Sequence, residues 1–264
     1  MDSIEVGGLR IAYERTGSGP ALVLLHGYVG DGTTTWRHQL DNLSGEYTVV
    51  AWDAPGAGRS CEPPKHFTMA DYADCLSSFV DGLGLDRPHV AGLSFGGALA
   101  IDFHRRHPAV ARSLVLVSAY AGWAGSLPTE VAEARLRQAL MLADLSPEEF
   151  VDTLLPTMFS DSTRPETVDA FRAPMLAFHP AGFRAMARAS AEDLRGGLDR
   201  IDVPTLLVYG DRDVRAPRAV AEGLHAAIRG STLVFLPCVG HVCNLEAADQ
   251  FNDTIRSFLG GLPA

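Results

Sequence analysis

His89-Val90-Ala91-Gly92-Leu93-Ser94-Phe95-Gly96-Gly97-Ala98 sets an apolar strand, a glycine-rich turn and the start of a helix side by side. Gly-x-Ser-x-Gly is common by chance, and it becomes informative where it joins a strand to a helix. A serine raised on so sharp a turn sits in strained backbone. Small residues two positions to either side let the chain approach closely, which accounts for Gly92 and Gly96. Gly97, Ala98 and Ala100 continue the small face. The turn presents Ser94 Oγ at the carboxyl end of a sheet, beside a helix N-terminus whose partial positive charge favours an oxyanion. Ser94 is therefore the expected nucleophile.

Working outward, residues 4–6 and 9–13 read as two short strands around the Gly7-Gly8 turn. Ala21–Leu25 and residues 47–52, 112–118, 205–209 and 232–236 are short apolar runs of the kind buried on both faces of a sheet. Helical spacing recurs between them. In residues 69–83, Tyr72, Leu76, Phe79, Val80 and Leu83 share one face, with Thr68 or Asp71 at the start. Residues 95–107, 218–228 and 245–259 continue the pattern. Strands alternating with helices predict parallel crossover units and a sheet covered on both sides.

One stretch breaks the rhythm. Residues 120–198 hold no convincing strand, only helix-like segments at 129–143, 147–155, 164–178 and 181–194, punctuated by Pro128, Pro147, Pro156 and Pro165. This predicts a helical insertion between two strands. No internal repeat is visible.

Chemistry needs partners for Ser94. His26-Gly27-Tyr28-Val29-Gly30-Asp31-Gly32 follows a buried strand, and a loop there can aim a main-chain N–H at a substrate oxygen. Tyr28 and Phe95, the residue after the serine, are the expected oxyanion donors, with His26 bracing the loop. Nine histidines compete for the role of base. His104 and His107 read as exposed on the helix after Ser94, and His38, His66 and His225 as surface. His241 differs, because Pro237-Cys238-Val239-Gly240-His241-Val242-Cys243-Asn244 is a loop between the last strand and the final helix. The orienting carboxylate is sought in Tyr209-Gly210-Asp211-Arg212-Asp213. An aspartate after glycine often serves a turn, so one of the two is expected to be structural, and Asp213 is favoured as the acid. Chain order is then Ser94, Asp213, His241.

The 264 residues suit one large domain or a core with an insertion, and 47% apolar content supplies a buried core. A net charge of −10 repels phosphate backbones and anionic lipid, which disfavours nucleic-acid and membrane partners. Met1-Asp2-Ser3-Ile4-Glu5 has no basic or apolar leader pattern, so no secretory signal is expected. The four cysteines, Cys61, Cys75, Cys238 and Cys243, include no close pair and read as reduced thiols of a cytoplasmic protein, a monomer or homodimer. Cys238 and Cys243 flank His241 but lack the paired spacing of a zinc site, so no metal is expected.

Taken together, His26-Gly27, Asp53-Ala54-Pro55-Gly56-Ala57-Gly58-Arg59-Ser60, Gly92-Leu93-Ser94-Phe95-Gly96-Gly97, Tyr209-Gly210-Asp211-Arg212-Asp213 and Gly240-His241 closely resemble the α/β-hydrolase superfamily. The resemblance spans almost the whole chain. It implies an α/β-hydrolase fold: a mostly parallel eight-stranded sheet with helices on both faces, the core in residues 1–119 and 199–264, and a helical cap in 120–198. It also implies that Asp213, at the Gly-x-x-Asp position, is the acid. Residues 240–252 look like the C-terminal region of 3-oxoadipate enol-lactonase-like enzymes. The loop 26–32 departs from the commoner His-Gly-x-Pro-Gly form, which leaves the shape of the oxyanion region open.

The implied activity is hydrolysis of a small-molecule carboxylic ester or lactone through an acyl-enzyme, with no metal or organic cofactor. C–C bond hydrolases and cofactor-free haloperoxidases or perhydrolases use the same triad and are the alternative; a non-catalytic ligand sensor is a third. Trp123, Met141, Phe159 and Phe178 of the insertion, with Val242 beside the base, are expected to line the pocket. Their apolar balance favours a neutral or weakly polar substrate, although Arg137, Arg164, Arg172, Arg184 and Arg188 are available to a carboxylate.

Overall fold

The apolar runs pair into a single sheet in the computed structural model, which describes residues 2–262. Its strands are β1 (Asp2–Val6), β2 (Leu9–Thr16), β3 (Ala21–Leu25), β4 (Thr48–Trp52), β5 (His89–Leu93), β6 (Ser113–Val117), β7 (Thr205–Gly210) and β8 (Thr232–Leu236). They lie in the order β1-β2-β4-β3-β5-β6-β7-β8. The hairpin β1–β2 and the pair β2–β4 are antiparallel, and the remaining pairs are parallel. Every residue of β4, β5 and β6 is buried, as continuous apolar runs covered on both faces should be.

The helices are α1 (Gly32–Thr35), α2 (Arg37–Leu43), α3 (Met69–Gly82), α4 (Phe95–Arg106), α5 (Trp123–Ser126), α6 (Thr129–Leu142), α7 (Pro147–Leu154), α8 (Pro165–Leu176), α9 (Pro180–Ser190), α10 (Arg218–Ala227), α11 (Cys243–Glu246) and α12 (Ala248–Gly260). Thr68 and Asp71 both serve the start of α3. Thr68 Oγ1 accepts from Asp71 N at 3.3 Å while an Asp71 carboxylate oxygen accepts from Thr68 N at 2.8 Å. The alpha/beta alternation is thus the expected one, with differences in detail. Helices α1 and α2 are additional to the expected set. The C-terminal helix is interrupted at Ala247, whose φ of −124° and ψ of 53° separate α11 from α12.

Between β6 and β7 the chain forms α5 to α9 and contains no strand. It leaves and returns through a narrow neck, where Leu194 N donates to Ala121 O at 2.9 Å. Gly122 sits in that neck with φ +67°, and a Cβ there would stand 1.8 Å from Glu192 O. The helical layer has its own aromatic centre: Phe150 stacks on Phe178 at 3.9 Å between ring centroids and meets Phe183 edge-on at 5.0 Å. Among the described residues no helix is long and apolar enough to cross a membrane.

Candidate active site

Ser94 links the carboxyl end of β5 to α4 with φ 53° and ψ −107°, a backbone state disfavoured for a non-glycine residue by about 1–3 kcal/mol. The surrounding glycines show why the turn closes. A Cβ on Gly92 would lie 2.1 Å from Gly96 O, and one on Gly96 would lie 2.3 Å from Leu25 O. Ser94 N donates to Val117 O at 2.8 Å, which ties the elbow to the end of β6.

The loops after β7 and β8 supply a carboxylate and an imidazole. His241 Nδ1 lies 2.9 Å from Asp213 Oδ2 and 3.1 Å from Oδ1, and both side chains are buried. Asp213 Oδ1 also accepts the main-chain N–H groups of Arg215 and Ala216, each at 2.8 Å. Burial pushes the Asp213 carboxyl upward. The charge of His241 and the hydrogen bonds from His241 and Ala216 outweigh burial and hold it below its ordinary value. An ionised Asp213 accepts a hydrogen bond from Nδ1–H of a neutral ring, which leaves Nε2 with the lone pair. The histidine loop is held from two sides, because His241 N donates to Met158 O at 2.9 Å and Ser118 Oγ donates to His241 O at 2.9 Å. Among the described residues no hydrogen bond joins His241 to Ser94. Asp211 acts elsewhere, at the surface. Its Oδ1 accepts Cys238 N at 2.7 Å and braces a residue with φ 62°.

The loop after β3 is fastened from below. His26 Nε2 accepts Ala54 N–H at 2.9 Å, so Nδ1 carries the proton and donates to Gly27 O at 2.5 Å. Burial lowers the His26 pKa, consistent with a neutral ring that braces the loop. Asp53 accepts Gly32 N and Arg59 N, each at 2.9 Å. The loop passes beside the serine, since a Cβ on Gly27 would meet Ser94 Cβ at 3.9 Å. Tyr28 stacks on Phe183 at 5.0 Å and meets Trp123 edge-on at 6.0 Å. Phe95 opens α4, its ring edge-on to Tyr72 at 5.1 Å.

Residues 22–254 match the family model described as the alpha/beta hydrolase family. The chain belongs to the alpha/beta hydrolase family. It is 31% identical, over 97% of its length and 68% of the relative's, to the dihydrolipoyllysine-residue acetyltransferase component of the acetoin cleaving system of Cupriavidus necator. A thermophilic esterase from Thermogutta terrifontis superposes with a TM-score of 0.90 at 28% identity, covering 98% of each chain. The enol-lactonase from Burkholderia xenovorans LB400 gives a TM-score of 0.89 at 26% identity, over 98% of this chain and 100% of that one.

In this hydrolase the expected pocket residues separate. Trp123 is buried against Tyr28, Phe178 lines a cavity of about 230 Å³ with Tyr28, Arg59, His179 and Phe183, and Val242 is buried beside His241. Phe159 is half-buried, edge-on to Phe171 at 5.7 Å. Met141 is a correction: it is 64% exposed, because the phase of α6 turns Ala139 and Leu142 inward and Met141 out. His104 is a second correction. It is only 1% exposed, with Nε2 3.4 Å from Asp202. The cap arginines named from sequence are largely occupied: Arg137 pairs with Glu133, Arg172 with Asp152 and Arg184 with Asp144.

Sequence reading missed three residues around the site. Glu246 joins the histidine loop to the helical layer: Gly240 N donates to Oε1 at 2.7 Å, while Ser160 N, Ser160 Oγ and Thr163 Oγ1 donate to Oε2 at 3.0, 2.7 and 2.5 Å. Arg215 and Arg135 reach a second cavity beside Tyr28, of about 190 Å³. No motif marks these roles, since each depends on contacts between segments far apart in the chain.

Proposed function

We propose that this alpha/beta hydrolase is a serine hydrolase that cleaves a small carboxylic ester or lactone through an acyl-enzyme. The observation that carries the reading is Ser94, held at φ 53° at the start of α4, with a buried His241–Asp213 pair on adjoining strand ends. His241 Nε2 takes the Ser94 proton as Oγ attacks the carbonyl carbon. The carbonyl oxygen becomes the oxyanion, bound by the N–H groups of Phe95 and Tyr28 with the helix N-terminus behind them. Collapse breaks the bond to the leaving oxygen, which takes the proton from His241. Water then gives a proton to His241 and attacks the acyl carbon, releasing the acid and restoring Ser94. Asp213 holds the imidazole in the required tautomer. Residues 120–198 act as the cap that shapes the pocket, and the likeness to an esterase and an enol-lactonase supports this substrate class.

The test is fluorophosphonate labelling with mass-spectrometric mapping, together with hydrolysis of p-nitrophenyl butyrate. Ser94 should be the labelled residue, and Ser94→Ala should lower kcat about a thousandfold or more with the circular-dichroism spectrum intact. Near-wild-type turnover in the folded variant refutes the assignment.

A further inference from the structure

The cavity of about 190 Å³ beside Tyr28 is lined by Arg135, Gln138, Leu142, Leu154, Thr157 and Arg215. Arg215 Nη1 donates to Thr157 Oγ1 at 2.8 Å and Nη2 donates to the Tyr28 hydroxyl, while Nε is buried without a hydrogen-bond partner among the described residues. Arg135 comes from α6. It donates to the Tyr120 hydroxyl at 2.6 Å and to Arg215 O at 3.0 Å, and its guanidinium lies 5.3 Å from the Tyr120 ring centroid and 5.7 Å from that of Trp123. All these acceptors are neutral.

Neither guanidinium forms an ion pair among the described residues. Asp213 is two residues before Arg215, but its carboxylate faces His241 and main-chain N–H groups. Asp152, in the helix that contributes Leu154, is paired with Arg172. The chain carries 32 acidic against 22 basic residues, so two uncompensated cations on one partly buried cavity are not a surplus of positive charge. Removing charges from water without a counter-charge is unfavourable, and an anion entering the cavity would relieve it. The cavity also adjoins the proposed chemistry. Tyr28 carries one proposed oxyanion donor, and Arg215 N bonds the carboxylate that orients His241.

We propose that this cavity is a carboxylate subsite, so that the substrate is an ester or lactone bearing a second, ionised carboxylate, held by Arg215 and Arg135. The proposal rests on the serine-hydrolase reading and narrows its substrate class. The acidic exterior repels such a substrate everywhere else, which makes the paired arginines the place that selects it.

Two measurements test it. The first is the ratio of kcat/KM for mono-p-nitrophenyl esters of succinate, glutarate and adipate to that for p-nitrophenyl butyrate. The best anionic ester should exceed the neutral one by about tenfold or more at low salt, and the advantage should shrink as salt rises. Arg135→Gln and Arg215→Gln should each reduce the ratio about tenfold, with Arg215→Lys keeping part of it. Taking the ratio removes any general loss from disturbing Tyr28. A wild-type preference for the neutral ester, or ratios unchanged in both variants, overturns the subsite. The second measurement needs no turnover: calorimetric binding of monomethyl glutarate and dimethyl glutarate to the Ser94→Ala protein. Tighter binding of the anion, lost on adding Arg135→Gln, supports the subsite; equal binding overturns it. Failure of Ser94 to take the fluorophosphonate label removes the serine-hydrolase reading separately.

Discussion

Replacing Glu246 with alanine removes a carboxylate that accepts hydrogen bonds from Gly240 N, Ser160 N, Ser160 Oγ and Thr163 Oγ1. The two hydroxyls can turn to other partners, but the two main-chain donors cannot. A hydrogen bond to a charged acceptor contributes about 1.5–3 kcal/mol net, so two at the lower end amount to about 3 kcal/mol. Water reaches this half-buried site and returns part of that, leaving about 2 kcal/mol of destabilisation. For a domain of this size the melting temperature should fall by about 4–8 °C. Gly240 immediately precedes His241, so the same change loosens the proposed base, and misplacing a catalytic group by about 1 Å costs on the order of 100-fold in rate. The expected result is a kcat lowered about 10- to 100-fold with KM little changed, alongside a lower urea midpoint. Glu246→Gln should show part of both effects, because its one carbonyl oxygen cannot serve both loops and its NH₂ faces an N–H donor. Unchanged urea midpoint and unchanged kcat in Glu246→Ala would refute the reasoning.

Asp213→Asn should lower kcat by about 10⁴-fold while Asp211→Asn, which loosens only the Cys238 turn, costs less than about tenfold; steady-state kinetics on p-nitrophenyl butyrate separates them. The depressed Asp213 carboxyl gives a definite pH signature. Its contribution to stability is fully present above the unfolded value of about 3.9 and is lost as pH falls through the lower folded value. The stability gap between wild type and Asp213→Asn, read from urea titrations, should therefore hold steady down to about pH 5 and narrow only at more acid pH; a gap that widened on acidification would contradict it. Gly96→Ala places a methyl 2.3 Å from Leu25 O and should cost about 2–4 kcal/mol, with kcat falling as the elbow shifts.

The parts legible in the sequence were those that physics writes locally. A strand buried on both faces must be apolar throughout, so Ala21–Leu25 is bounded correctly from the residues alone; Thr232–Leu236 is bounded correctly too, but as the edge strand it is only partly buried rather than covered on both faces. The elbow leaves a trace because Gly92 and Gly96 have no room for a Cβ, and the choice of Asp213 over Asp211 was supported by the family resemblance, which puts the acid at the Gly-x-x-Asp position. Helices α1 and α2 were hidden: Thr33, Thr34 and Thr35 are poor helix formers, and α1 starts where Asp31 accepts Thr34 N at 2.7 Å. Burial of His104 depends on the covering turn around Asp202, almost a hundred residues away in sequence. The expectation of a neutral substrate came from counting apolar cap residues. The proposed carboxylate subsite points the other way, and one of its two arginines, Arg215, comes from the loop after β7 rather than from residues 120–198.

The hydrogen bond between Ala121 and Leu194 has a consequence for how such a chain can diversify. Everything from α5 to α9 departs and returns through that one pinch, so the two ends of the excursion lie side by side at its base. Closing a longer excursion costs little more, about 0.6 kcal/mol for each doubling in length. A helical segment of different size or chemistry can thus be transplanted between these two residues while the strand register of β6 on β7 stays as it is. Such an exchange leaves the elbow and the sheet untouched, but the incoming segment has to replace the acceptor that Met158 O offers His241 N and the bonds that Ser160 and Thr163 make to Glu246, because these hold the histidine loop.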